Sequence, residues 1–325
     1  MQISRRDFVK ATATAVAMSL SGPTAAIAGS RPTAMRSPFR ISVINDEISQ
    51  DFGRSCEVAA REFGMQWIEL RGMWNKNIVS LDTKEVAEAQ QILKKYELRV
   101  TDIASPLFKT AWKDDPRAKE KQTADFNASF SFDQQPEVLE RAIQMAKEFH
   151  TDRVRCFDFY RLDNPAPHRD AINQTLRDAA EKCGKNGMIL LLENDGGLNT
   201  ATGAEAAKVL SAVQSPHFML NWDPGNAAAN GEKPYPDGYN LLPKDRIGHC
   251  HCKDVARAGK EDWAAMGKGI IDWEGQFRAL KRDGYHFAVS LETHWRSGGT
   301  PENSSRQSWS GMKNLLEKAK ALEES

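Results

Sequence analysis

Four side chains in the second half of the chain occupy equivalent places. Met188-Ile-Leu-Leu-Leu-Glu193 closes an apolar run with a carboxylate, and Phe218-Met-Leu-Asn-Trp-Asp223 does the same. Arg246-Ile-Gly-His-Cys-His251 closes with an imidazole, and Phe287-Ala-Val-Ser-Leu-Glu292 with a third carboxylate. Any one of these is explained by helix capping or by a satisfied core histidine. Four in succession are harder to explain that way, because three carboxylates brought together repel unless protons or a cation neutralise them. Three oxygen donors and one imidazole suit a single divalent ion, with Mn²⁺ as first choice and Mg²⁺, Co²⁺ or Zn²⁺ as the others. An ion chelating a carbonyl and the neighbouring hydroxyl acidifies the C–H between them and stabilises an enediolate. A neighbouring carboxylate is then placed to take or return the proton.

Such convergence needs a scaffold that ends many strands at one place. Eight β-rich runs are readable, at 40–45, 66–71, 98–104, 153–157, 188–193, 218–223, 246–251 and 287–292. Between and after them, 52–63, 84–96, 135–149, 169–185, 202–213, 273–283 and 302–322 carry apolar residues at three- and four-residue spacing. This alternation predicts a single-domain (β/α)₈ TIM barrel over 39–325, with a doubly wound open sheet as the competitor. Strand alternation places Leu191, Asn221, His249 and Ser290 one layer deeper on the inward face. Asn221, His249 and Ser290 are expected to hydrogen-bond the ligands from below. His249 is an alternative ligand to His251, which is preferred for its place at the strand end. Cys250 and Cys252 face outward and are expected to pack under a helix. Gly267-Lys-Gly269 lacks the full phosphate-loop pattern and is read as shaping a loop. The stretches 105–133 and 227–245 are candidate lids. Lys109 in the first is either a substrate contact or a solvated loop lysine.

Composition narrows the field. The chain has 325 residues, with 44 Lys+Arg against 44 Asp+Glu, and this zero net charge argues against a dedicated nucleic-acid partner. Five cysteines are scattered and odd in number, which is no disulfide framework. No uncharged apolar run long enough for stable membrane insertion occurs beyond the N-terminus. Residues 1–28 read as an export signal. Arg5-Arg6-Asp7-Phe8 resembles the twin-arginine motif, and Ala26-Ile27-Ala28 supplies a small-residue cleavage site. The expected organisation is a signal peptide at 1–28, a linker at 29–38 and the barrel at 39–325, with the twin-arginine machinery as export partner and the periplasm as destination. A homo-oligomer is compatible with this arrangement.

The series Glu193, Asp223-Pro-Gly-Asn226, His249-Cys-His251-Cys-Lys253-Asp254 and Glu292 resembles the sugar phosphate isomerase/epimerase superfamily with the xylose-isomerase-like TIM barrel. Ile41-Ser-Val-Ile-Asn-Asp46-Glu47, Ile68-Glu69-Leu-Arg71-Gly72 and Gly267-Lys-Gly269-Ile-Ile-Asp272-Trp273 carry the likeness further, over essentially all of 39–320. The resemblance implies one divalent ion on Glu193, Asp223, His251 and Glu292, with the two glutamates acting on opposite faces of a sugar. It also implies substrate contacts. Arg257 matches an arginine six residues after the histidine ligand in ketose 3-epimerases, and Asn226 replaces their histidine three residues after the aspartate. His294 joins them as a candidate contact. The expected function is a divalent-metal-dependent isomerase or epimerase of a free sugar or keto-sugar. The alternatives are a lyase on keto-glycosides at the same site, an endonuclease IV-like phosphodiesterase, and a non-catalytic periplasmic sugar-binding protein. The phosphodiesterase calls for more well-placed histidines than seven in the chain supply.

Overall fold

A computed structural model describes residues 35–113, 115 and 129–324. The expected signal at 1–28, its cleavage site at Ala28, linker residues 29–34 and much of the first candidate lid lie outside the described residues. The eight strands are β1 (Arg40–Val43), β2 (Trp67–Leu70), β3 (Arg99–Leu107), β4 (Arg153–Cys156), β5 (Ile189–Glu193), β6 (Phe218–Trp222), β7 (Ile247–Cys252) and β8 (Ala288–Leu291). They form one sheet in the order β1-β8-β7-β6-β5-β4-β3-β2. Every pairing is parallel, and a bridge from Ile44 to Glu69 joins the two outer strands. A nearly closed parallel barrel replaces the open-sheet alternative, since an open sheet would leave two unpaired edges.

The helices wrap this barrel with one apolar face each. They are α1 (Phe52–Glu57, continued by a wider turn to Glu62), α2 (Thr83–Tyr96), α3 (Gln135–Glu148), α4 (Arg169–Lys185), α5 (Gly203–Ala212), α6 (Pro224–Ala229), α7 (Trp273–Arg282) and α8 (Pro301–Lys318). In α2 the buried positions are Val86, Ala89 and Leu93, one stripe on a 3.6-residue period. Asp82 and Glu85 start it with a reciprocal capping box. The short α6 has no counterpart in the sequence reading; Asp223 caps it by accepting from the Asn226 N–H at 2.9 Å. Capping and site membership therefore coexist in one carboxylate.

Inside the barrel the lower layer is tight. A Cβ on Gly248 would lie 2.7 Å from Leu191 Cδ2 and 3.0 Å from Met219 Cβ, so a larger residue there requires these side chains to shift. The 227–245 stretch is not a lid. Ala227, Ala228, Tyr239 and Leu242 are buried, and the Tyr239 hydroxyl donates to Asp283 at 3.0 Å, which ties the stretch to the end of α7. Its Asn, Gly and Pro content reflects short turns rather than an open loop. Met35–Arg36 pairs antiparallel with Glu323–Glu324. Among the described residues no helix is long and apolar enough to cross a membrane.

Candidate active site

Glu193 ends β5, Asp223 and Glu292 directly follow β6 and β8, and His251 lies one residue inside the end of β7. Their ligand atoms lie within 4.8 Å of one another, and all four residues are buried. His251 Nδ1 faces the three carboxylates, at 3.2 Å from Glu193 Oε1, 3.3 Å from Glu292 Oε2 and 3.8 Å from Asp223 Oδ2. Glu193 Oε2 and Asp223 Oδ2 are buried and make no well-aligned hydrogen bond, each facing a buried cation instead. Three carboxylates and one imidazole nitrogen facing one another at this spacing make up the donor set of a divalent ion, so the residues present fit such a metal.

Three buried cations hold these acids. Arg155 Nη1 lies 3.0 Å from Glu193 Oε2 and donates through Nη2 to the Ala104 carbonyl at 3.0 Å. Arg71 donates to Glu292 Oε1 at 3.0 Å, Asp46 Oδ1 at 2.9 Å and Glu47 Oε1 at 2.6 Å. Lys253 Nζ lies 2.8 Å from Asp223 Oδ2 and 2.6 Å from Glu292 Oε2. Burial alone would raise the Glu193 carboxyl, yet His251 and Arg155 hold it down at about 2. Glu292 is held well below its usual range against the same desolvation, by Lys253, His294 and His251. For His251 desolvation pushes downward, and the fields of Glu69, Glu193 and Glu292 overcome it and raise the imidazole well above its ordinary value.

The layer beneath follows the predicted alternation only in part. The Asn221 amide nitrogen lies 3.1 Å from His251 Nε2, as expected of a supporting residue. His249 lies lower, 3.0 Å from Asp102 Oδ1 and 3.4 Å from Glu69 Oε2, without hydrogen-bonding geometry to either. His249 Nε2 thus faces Glu69 and Asp102, and His251 is the imidazole that meets the carboxylate cluster. Burial lowers the His249 pKa to about 3. The Ser290 hydroxyl is buried with no hydrogen-bond partner and does not support the four residues above it as expected. Cys250 and Cys252 belong to the apolar core, as their outward alternation requires.

A cavity of about 190 Å³ opens over the cluster, lined among others by Lys109, Asp195, Asn226, Glu261, Trp263 and His294. Lys109 is not a solvated lysine: its Nζ pairs with Asp195 at 2.9 Å at the rim. Asn226 Nδ2 donates to the Asn194 carbonyl at 2.8 Å and reaches Glu193 Oε1 at 3.5 Å. His294 Nε2 lies 3.2 Å from Glu292 Oε1, and its ring stands edge-on to Trp263. Arg257 is not brought to the cavity. The hairpin Asp254–Val255 with Trp263–Ala264 turns it outward, where it pairs with Asp262 and its side chain is 64% exposed. A larger groove of about 770 Å³ lies along α3 and holds none of these groups. Its Arg141 donates to the Val79 and Leu81 carbonyls.

The loop carrying Glu261 and Trp263 is pinned by Asp254, which accepts from the N–H groups of Gly267 (3.1 Å), Gly269 (3.0 Å) and Ile271 (3.3 Å). Gly267-Lys-Gly269 thus shapes a loop, as read from the sequence. Asp254→Ala is expected to cost about 1–3 kcal/mol by orphaning these donors, seen as a lower urea midpoint at unchanged slope. An unchanged midpoint would mean that the loop holds itself.

A family model for the xylose isomerase-like TIM barrel matches residues 58–315. No curated protein matches the sequence. Among solved structures, the chain is similar to a probable 3-DHS dehydratase from Bacillus anthracis, with 22% identity, TM-score 0.65, and 85% of this chain and 98% of that chain covered. It is also similar to a D-allulose 3-epimerase from Methylomonas sp., with 18% identity, TM-score 0.64, and coverage of 88% and 99%. A third likeness is a xylose isomerase-like TIM barrel protein from Mycobacterium smegmatis in complex with magnesium, at 16% identity, TM-score 0.61, and coverage of 89% and 98%.

Proposed function

The chain belongs to the xylose isomerase-like TIM barrel family, and from that premise we propose that it is a divalent-metal-dependent isomerase or epimerase of a sugar or keto-sugar. The convergence of Glu193, Asp223, His251 and Glu292 beneath a small cavity carries this reading. When bound by these four residues, the ion would polarise a substrate carbonyl and its neighbouring hydroxyl and so acidify the C–H between them.

The remaining work belongs to the chain. Glu193 and Glu292 come from strands three apart in the barrel and hold or move the proton at the substrate carbon. Arg155 and Arg71 each tether one of them, so that neither carboxylate swings freely. Return of the proton to the same carbon from the other side gives an epimer, and return to the neighbouring carbon an isomer. Phe157 and Trp263 offer aromatic surface to a sugar face, and the Lys109–Asp195 pair offers a donor and an acceptor to its hydroxyls. The cavity is smaller than the roughly 300–1,000 Å³ of drug-sized sites, which suits a monosaccharide unit. Export through the twin-arginine route, resting on Arg5-Arg6 and Ala26-Ile27-Ala28, belongs to the same proposal and favours an unphosphorylated substrate.

Elemental analysis of the folded, signal-free protein tests the reading. About one Mn, Mg, Co or Zn per chain is expected, and Asp223→Asn is expected to lose it without unfolding. Wild-type protein and variant alike without metal would remove the ion from the proposal. Screening free and oxidised sugars then reads the reaction. A product of unchanged mass supports isomerisation or epimerisation, and loss of an aglycone would replace it with the lyase.

A further inference from the structure

We propose that Glu69 is a positioning residue that fixes which ring nitrogen of His251 meets the metal. The inference rests on the reading of Glu193, Asp223, His251 and Glu292 as the ion's ligands. Glu69 lies on β2, fully buried, and its Oε1 is 2.9 Å from His251 Nε2. The other ring nitrogen, Nδ1, faces the carboxylates of Glu193, Asp223 and Glu292. The two ends of one imidazole therefore look at different partners.

An ionised carboxylate accepts hydrogen bonds and donates none. Beside Glu69, Nε2 keeps its proton and donates it, which leaves the Nδ1 lone pair for an ion. Asn221 fits this choice with its amide turned: as placed, its donor Nδ2 lies 3.1 Å from Nε2 and 3.4 Å from Nδ1, while its acceptor Oδ1 is buried without a partner. From below, Glu69 meets His249 without a hydrogen bond. Its Oε2 lies 3.4 Å from His249 Nε2, whose other neighbour is Asp102 Oδ1, and Thr101 Oγ1 donates to that same oxygen at 3.0 Å. Thr101, Asp102, His249 and Glu69 thus form a buried column ending on the proposed ligand. The column gives a use to two buried groups, Glu69 and His249, that proton transfer at the mouth does not employ.

The competing arrangement is a second ion held by Glu69, His249 and His251, whose ligand atoms also lie within 4.8 Å of one another. One experiment separates the two. Mn²⁺ alone is titrated by calorimetry into metal-free wild-type protein and into Glu69→Ala and Glu69→Gln. The ¹⁵N-histidine spectrum of the Zn²⁺-loaded wild type then reports which nitrogen of His251 carries the proton. The expected result is about one Mn²⁺ per wild-type chain, affinity lowered about 10–100-fold in E69A, and a smaller loss in E69Q, whose amide oxygen still accepts from Nε2–H. The spectrum should show Nε2 protonated. Unchanged affinity in both variants, equal losses in both, or metal on Nε2 would overturn the positioning role. So would two ions per chain with one lost in E69A, which would make Glu69 a ligand. A wild-type protein that takes up no Mn²⁺ overturns the metal reading, and this inference with it. If E69A fails to fold, the E69Q titration and the wild-type spectrum decide.

Discussion

Glu292→Gln is expected to lower turnover by about 10²–10⁴-fold, the span of a lost general acid or base, while leaving the barrel folded. Folding survives because the neighbours of Glu292 keep other partners: Arg71 retains Asp46 and Glu47, and Lys253 retains Asp223. The amide preserves the shape of the side chain and removes its capacity to take a proton. Measuring metal content beside turnover divides the two duties proposed for this residue. A variant that holds its ion but no longer turns over assigns the loss to proton transfer. One that has lost both assigns it to ligation, and full activity removes Glu292 from either duty.

Arg71→Met carries the largest expected effect on stability. The guanidinium is buried and touches three carboxylates, two of which, Glu47 and Glu292, are almost without solvent exposure. Removing one partner of a buried ion pair typically costs about 3–5 kcal/mol, because the remaining charge stays uncompensated. Against a total of about 5–15 kcal/mol, such a loss is measurable in urea and leaves little reserve at 37 °C. The effect should depend on pH. Desolvation raises Asp46 to about 6 even with Arg71 opposing it, above its ordinary value of 3.8. An acid whose folded pKa lies above its unfolded one binds extra protons in the folded state, so it destabilises more as pH rises through the folded value. Without Arg71 that penalty grows, and the variant should lose more stability at pH 8 than at pH 5. A deficit that is equal at both pH values would show that the three carboxylates find other partners.

The strands and the four converging residues were legible because two simple regularities meet there. An apolar run closed by one ionisable residue gives both the element and the place of its functional group, and the eight runs were located to within a few residues. The supporting layer was less visible. Glu69 and Arg71 stand in a recognisable motif, but nothing local says that one meets His251 and the other Glu292 across the barrel. Arg155 and Lys253 did leave a signal. Each continues an alternation of inward positions, Arg153 to Arg155 and His249 to His251 to Lys253, and a charge on the inward face of a buried strand needs a countercharge. Arg257 was misplaced because spacing along the chain does not show which way a hairpin turns. Ser290 was assigned a hydrogen bond from its inward position alone, which fixes direction but not distance. The 227–245 stretch misled through composition, since Gly, Pro and Asn mark turns in buried segments as readily as in mobile ones.

The alternation along β7 has a bearing on which elements the protein can accept. His249 and His251 face inward while Cys250 and Cys252 lie in the apolar core, and the pairing of His251 with Ser290 and Cys252 with Leu291 sets that order. A slip of one residue would exchange the two sets and present thiols to the mouth of the barrel in place of imidazoles. Thiolates select soft ions such as copper(I), whereas the oxygen and imidazole donors present suit harder ones. For the proposed metal site, discrimination between the two kinds of ion would lie in the pleat of a single strand as much as in the identity of the ligands.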